Sequence, residues 1–97
     1  MIESEILAEI DAYLEATGWI VRKFSFHRET GRQFAGWPDR VAFRYGVTLL
    51  IEAKSETGQR RADQLAFAQS IEPHLGPTLR YILARSVQDV EACSGGR

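Results

Sequence analysis

The 97-residue chain holds a single cysteine, Cys93, which rules out an internal disulfide framework and any cysteine-based zinc site. No apolar run approaches the length of a membrane span. The first residues, Met1-Ile2-Glu3-Ser4-Glu5, are acidic where a secretory signal would be basic. Repeats, low-complexity tracts and linker-like stretches are also missing. The expectation is one soluble, cytoplasmic domain spanning residues 1–97, with 93–97 as a frayed tail. Net charge is nearly absent as well, at −1, which taken alone argues against a partner as acidic as nucleic acid. What remains is ordinary globular composition, 44% hydrophobic and 26% charged. A chain of this size supports one core, and association with a second copy would help it.

The distribution of charge reads differently from its total. Between Arg22 and Arg61 stand nine basic residues against four acidic ones, an excess of +5, while the remainder carries three against nine. A positive excess of this kind is what a surface that tracks phosphates requires. The alternative is a set of scattered, solvated side chains.

That basic stretch surrounds the clearest hairpin in the chain. Val41 to Phe43 and Val47 to Ile51 are β-favouring runs split by Tyr45-Gly46. A two-residue loop there pairs Arg44 with Val47, Phe43 with Thr48 and Val41 with Leu50, and so sets Asp39 opposite Glu52. Opposed residues share a face with Cβ atoms roughly 4.5–5.5 Å apart. Lys54, two residues after Glu52, points the same way. Like charges facing each other are destabilising, so the pair calls for a cation. Lys54 is one candidate, and a hard divalent ion such as Mg²⁺, which takes one or two carboxylates plus waters and phosphate oxygens, is the better one. Read without function, Asp39 caps a turn after Pro38, and Glu52 and Lys54 are solvated neighbours.

Residues 2–17 have helical periodicity, with Ile6, Leu7, Ile10, Tyr13, Leu14 and Thr17 on one stripe and Gly18 as the stop. Glu3 lies within roughly 60° of Ile6, Leu7, Ile10 and Leu14, near the centre of that stripe but one turn before it begins. It either frays into water at the helix start, where its charge suits the dipole, or is aimed at the hairpin. Trp19 to Phe26 is a strand candidate with apolar residues on both faces, which implies burial. His27 to Phe34 reads as a basic loop that meets a substrate through Arg28 and Arg32, and His27 is a minor candidate ligand or base. A second helix over 60–72 buries Leu65, Phe67, Ala68 and Ile71, with Gln64 inside the same arc. Gln64 either bonds a backbone carbonyl or holds a water, a phosphate or Lys54. Arg60 and Arg61 sit at the helix start, where cations oppose the dipole and a phosphate would suit them. Thr78 to Ala84 is a further strand, parallel to the Glu52 strand by the handedness of crossovers. Ser86 opens a last short helix to about Ala92.

The pattern of Glu3 opening the first helix, Gly36-x-Pro38-Asp39, Ile51-Glu52-Ala53-Lys54-Ser55, and Gln64 followed by Phe67 resembles the PD-(D/E)XK nuclease superfamily. Within it, the chain resembles the virus-type replication-repair nuclease (VRR-NUC) domains over nearly its whole length. The resemblance implies an α/β restriction-endonuclease-like domain of order α-β-β-β-α-β-α, with a central mixed four-stranded sheet flanked by helices. It also implies Mg²⁺- or Mn²⁺-dependent hydrolysis of DNA phosphodiester bonds. Asp39, Glu52 and the Ala53 carbonyl would hold the metal, with Glu3 completing the site. Lys54 would orient the attacking water, and Gln64 would position Lys54 or the phosphate. Arg22, Lys23, Arg28, Arg32, Arg40, Arg60 and Arg61 are the expected DNA contacts. A structure-selective endonuclease acting on branched DNA as a homodimer is the leading expectation. The alternatives are a nicking or restriction-like nuclease and an inactive DNA-binding or assembly module.

Overall fold

A computed structural model describes residues 1–24 and 35–95. His27, Arg28 and Arg32 of the basic loop, and the end of the expected strand at Ser25 and Phe26, lie outside the described residues. The elements run α1 (Glu3–Ala16), β1 (Ile20–Lys23), β2 (Arg40–Arg44), β3 (Val47–Ala53), α2 (Ala62–Ile71), a 3₁₀ turn (Glu72–His74), β4 (Leu79–Ala84) and α3 (Val87–Ser94). The order is the expected α-β-β-β-α-β-α.

The hairpin fixes the sheet. Tyr45 and Gly46 both take positive φ, 48° and 78°, the two-residue turn whose twist matches that of the flanking strands. It sets Arg44 against Val47, Phe43 against Thr48 and Val41 against Leu50, as the loop length requires. β1 adds antiparallel to β2. β4 returns through α2 to lie parallel to β3, giving the order β1-β2-β3-β4 and a mixed sheet.

β3 is buried on both faces from Leu49 to Ala53, and the two faces meet different helices. Leu49, Ile51 and Ala53 join Ala42, Ile82 and Ala84 under the α1 stripe of Ile6, Ile10 and Leu14, with Val90 of α3 and Trp19 in the same cluster. Each fully buried Ile or Leu contributes about 1.5–3 kcal/mol, so this is the main stabilising face. Leu50, Glu52 and Lys54 point to the opposite side, where Phe67 of α2 forms a row with Trp37 and Tyr81.

Four expectations change. β1 is an edge strand, and Ile20 is 57% exposed, so its apolar residues do not make it an inner strand. α2 begins at Ala62, with Arg61 in the N-cap position, and Pro73 falls within the 3₁₀ turn. Leu65, expected inside, is 42% exposed, and Phe67, Ala68 and Ile71 are only half-buried. The tail does not fray at 93. Helix α3 runs through Ser94, which is buried and bonded to the Tyr13 hydroxyl at 3.1 Å. Arg80 donates to the Cys93 carbonyl at 2.7 Å.

Candidate active site

The site is built at the end of β3. Glu52 is fully buried there, a position that central-strand register would otherwise give to an apolar residue. Its Oε1 accepts the Tyr81 hydroxyl at 3.2 Å. Its Oε2 is buried with no hydrogen-bond partner among the described residues. Burial pushes the Glu52 carboxyl up from the usual range. The Tyr81 bond and the Lys54 charge act against that, while Asp39 adds to it. The charges of Lys54 and Asp39 both reach Glu52.

Asp39 sits one residue before β2. Its Oδ2 accepts the Ala53 N–H at 2.8 Å. The register explains why. The paired ladder ends with Arg40 opposite Ile51; continued by two residues it would set Pro38 against Ala53, and proline has no N–H to return. The Asp39 carboxylate thus takes the Ala53 N–H in place of a strand carbonyl. On the other edge of β3, the Lys54 N–H closes the parallel ladder onto Ala84 at 2.9 Å. The Lys54 side chain is itself 5% exposed.

Gln64 is the buried residue of α2. Its Oε1 accepts the Arg61 N–H at 2.8 Å, capping an otherwise orphaned helix donor. Of the two readings of Gln64, a backbone partner is therefore present, but it is an N–H and not a carbonyl, which leaves amide donors on Nε2. Gly36, with φ +80°, lies so close to this turn that a Cβ would collide with the Asp63 carbonyl. The segment carrying Asp39 and the start of α2 are locked together through that glycine.

Two further site features bear on the expectations. Glu3 stays exposed on the first turn of α1. α1 covers the Leu49/Ile51/Ala53 face, opposite the Glu52 side chain, and the charges acting on Glu52 are those of Lys54, Asp39 and Arg60. Among the described residues no three His, Cys, Asp or Glu side chains gather at metal-ligand spacing, so Glu3 is not brought to the carboxylate pair. Tyr81 is the residue that sequence reasoning missed. Burial and the neighbouring Glu52 carboxylate push its hydroxyl up to about 12, so it is a proton donor at neutral pH. Parallel pairing of Leu50 with Tyr81 puts it diagonal to Glu52 on the same face.

The basic residues divide. Arg60 acts on both Glu52 and Tyr81. Arg22 and Lys23 are exposed on β1, and Arg61 is an exposed neighbour of Asp63 at 3.3 Å. Arg40, expected to contact DNA, instead makes a two-point ion pair with Asp11 of α1 at 2.8 and 3.0 Å, on the sheet face away from Glu52. Arg44 stacks on Trp19 at 4.5 Å and donates to the Thr17 and Ser94 carbonyls. Arg40→Ala is accordingly expected to cost about 1–3 kcal/mol of stability, as loss of a charged, partly buried hydrogen bond does. Binding of a polyanion at fixed salt should stay within about twofold of wild type, because the Arg40 guanidinium is already held by Asp11. Urea melts and fluorescence anisotropy check the two halves.

The residues fit a divalent cation. A buried carboxylate oxygen without a partner among the described residues, beside a second carboxylate, is a hard oxygen donor set.

Comparison with known proteins agrees at the level of fold. No protein-family profile matches the sequence, and no curated protein matches it. A solved structure described as a VRR_NUC domain matches with a TM-score of 0.71, covering 96% of this chain and 94% of that one at 21% identity. The chain therefore has the mixed α/β fold of a VRR_NUC domain, and the resemblance carried by Gly36-x-Pro38-Asp39 and Glu52-Ala53-Lys54 holds for the architecture. No helix among the described residues is long and apolar enough to cross a membrane.

Proposed function

We propose that this protein is a metal-dependent DNA endonuclease, selective for branched DNA and acting as a homodimer. The observation that carries the reading is the Oε2 of Glu52, buried and without a partner among the described residues, set beside Asp39 and Lys54 on a VRR_NUC fold. A Mg²⁺ or Mn²⁺ ion held by Asp39, Glu52 and the Ala53 carbonyl would polarise a phosphate and lower the pKa of bound water. Lys54 holds a cationic donor beside the two carboxylates, where it orients a nucleophilic water and stabilises developing charge. The Gln64 oxygen is engaged by the helix, so its amide donors serve the phosphate or the water. Arg60, next to Glu52, and Arg61 at the α2 N-terminus supply phosphate contacts, with Arg22 and Lys23 further along the sheet edge. Glu3 joins the site only through movement of the first turn of α1 or through water. Homodimerisation is supported by the chemistry, since symmetric cutting of two strands needs two sites.

The test is cleavage of four-way junction, flap and linear duplex substrates with Mg²⁺ or Mn²⁺, with and without EDTA. Cleavage of branched DNA that EDTA abolishes is expected, and Lys54→Ala should slow it by about 10²–10³-fold, the scale of losing one transition-state donor. Intact substrates throughout, or Lys54→Ala cutting as fast as wild type, would overturn the proposal. Equal cutting of linear duplex would remove the branched-DNA selectivity alone.

A further inference from the structure

The two oxygens of Glu52 are not equivalent. Oε1 is engaged by the Tyr81 hydroxyl, whereas Oε2 is buried and unpartnered among the described residues. Tyr81 is in turn held from behind. Its ring lies 6.3 Å from that of Phe67, which lies 5.2 Å from Trp37, which meets Phe24 edge-on at 5.2 Å. This row crosses from the end of β1, through the Asp39 segment and α2, to β4, and it ends on a single hydrogen-bond donor. An ionised carboxylate on a mobile side chain can rotate to exchange its oxygens or shift towards Lys54. A donor fixed in place by packing removes that freedom. Phenylalanine at 81 would satisfy the packing equally well, so the hydroxyl is there for its polar partners, Glu52, to which it donates, and Arg60, which donates to it. Outer partners that orient a metal ligand are worth roughly 10–100-fold in affinity or activity.

We propose that Tyr81 is a positioning residue, whose hydroxyl pins Oε1 of Glu52 so that Oε2 is the oxygen presented to a divalent cation. The inference rests on the metal-site reading above and adds a residue to it. Tyr81 acts through Glu52, while its contact with Arg60 braces the same hydroxyl from the other side.

Tyr81→Phe tests it, because the ring and its contacts are retained. Mn²⁺ binding to the free protein, followed by electron paramagnetic resonance without DNA, gives a readout independent of turnover. Affinity is expected to fall about 10-fold, with the far-UV circular dichroism of the wild type preserved. In cleavage assays the metal concentration for half-maximal rate should rise by a similar factor, and the rate at saturating Mn²⁺ should stay within about threefold of wild type. Wild-type Mn²⁺ affinity in Tyr81→Phe overturns the role of Tyr81 while leaving the metal site standing. If wild-type protein fails to bind Mn²⁺ at all, the metal site itself is overturned, and the role of Tyr81 falls with it.

Discussion

Glu52→Gln is expected to lower cleavage by more than about 100-fold, beyond what loss of an outer ligand partner costs, and at the same time to make the metal-free protein more stable. The two effects share a cause. Glu52 is fully buried, one of its oxygens has no partner among the described residues, and burial outweighs the Tyr81 bond and the Lys54 charge in pushing its carboxyl up. A carboxyl raised on folding means that the folded state binds more protons than the unfolded state between the unfolded value near 4.5 and the raised one. Its contribution to stability therefore falls as pH rises through that window and stays lost above it. Glutamine carries no such charge and can still accept the Tyr81 hydroxyl. The gain in EDTA at pH 7 should be about 1 kcal/mol, or about 4–8 °C in Tm for a domain of this size. The difference between variant and wild type should shrink as pH is lowered towards 4. Thermal melts in EDTA at several pH values check the sign. A variant less stable than wild type at neutral pH would show that the Lys54 pairing outweighs burial. Adding Mg²⁺ should narrow the gap from the wild-type side, since a ligand bound only to the folded state stabilises it.

Gly36→Ala is expected to cost about 2–5 kcal/mol. A left-handed residue with a Cβ costs about 1–2 kcal/mol, and forcing backbone apart in a packed site adds about 1–3. At Gly36 both apply, because φ is +80° and the new methyl would meet the Asp63 carbonyl and the Gln64 amide. Gly46 supplies the internal control. Its φ is nearly the same, +78°, but a Cβ there meets nothing within 4 Å. Gly46→Ala should therefore show the conformational cost alone, and the difference between the two variants measures the contact. Urea denaturation of both gives that difference, and equal losses would remove the argument for a lock. Because Gly36 joins the Asp39 segment to the first turn of α2, its variant should also cleave more slowly at a temperature where it remains folded, whereas Gly46→Ala should not.

Much of this site is legible in the chain, for reasons that lie in local geometry. A two-residue loop leaves only one register, so Tyr45-Gly46 determines that Asp39 approaches Glu52, and strand alternation then adds Lys54. Helix periodicity identifies Ile6, Ile10 and Leu14 as the stripe of α1, and all three are fully buried. Periodicity does not say which face of the sheet receives that stripe. β3 is apolar on both sides, so nothing in it marks the Leu49/Ile51/Ala53 face as the one under α1, and the expectation for Glu3 depended on that choice. The same ambiguity led α2 to be read as more buried than it is, since Leu65 satisfies the period yet stays exposed. Tyr81 escaped because its relation to Glu52 depends on the register of β4 against β3, which is set across the crossover and not by any turn. Once that register is known, the diagonal from Leu50 to Glu52 finds it. Arg40 and Arg44 counted towards a basic surface by linear position, but strand alternation sends both to the α1 side, where Asp11 and Trp19 meet them.

Sequence alone determined the hairpin, its register and the order of elements, and with them that Asp39 and Lys54 come near Glu52, because short-range sterics and the two-residue repeat of strands act within a few residues. Only the tertiary structure decided which side of the sheet each helix covers, that Glu52 loses all solvent on one oxygen and gains Tyr81 on the other, and that the Asp39 segment is locked to α2 through Gly36. Those outcomes depend on packing between segments far apart in the chain, where burial, and not local preference, decides which polar atom is satisfied and which is left for a ligand.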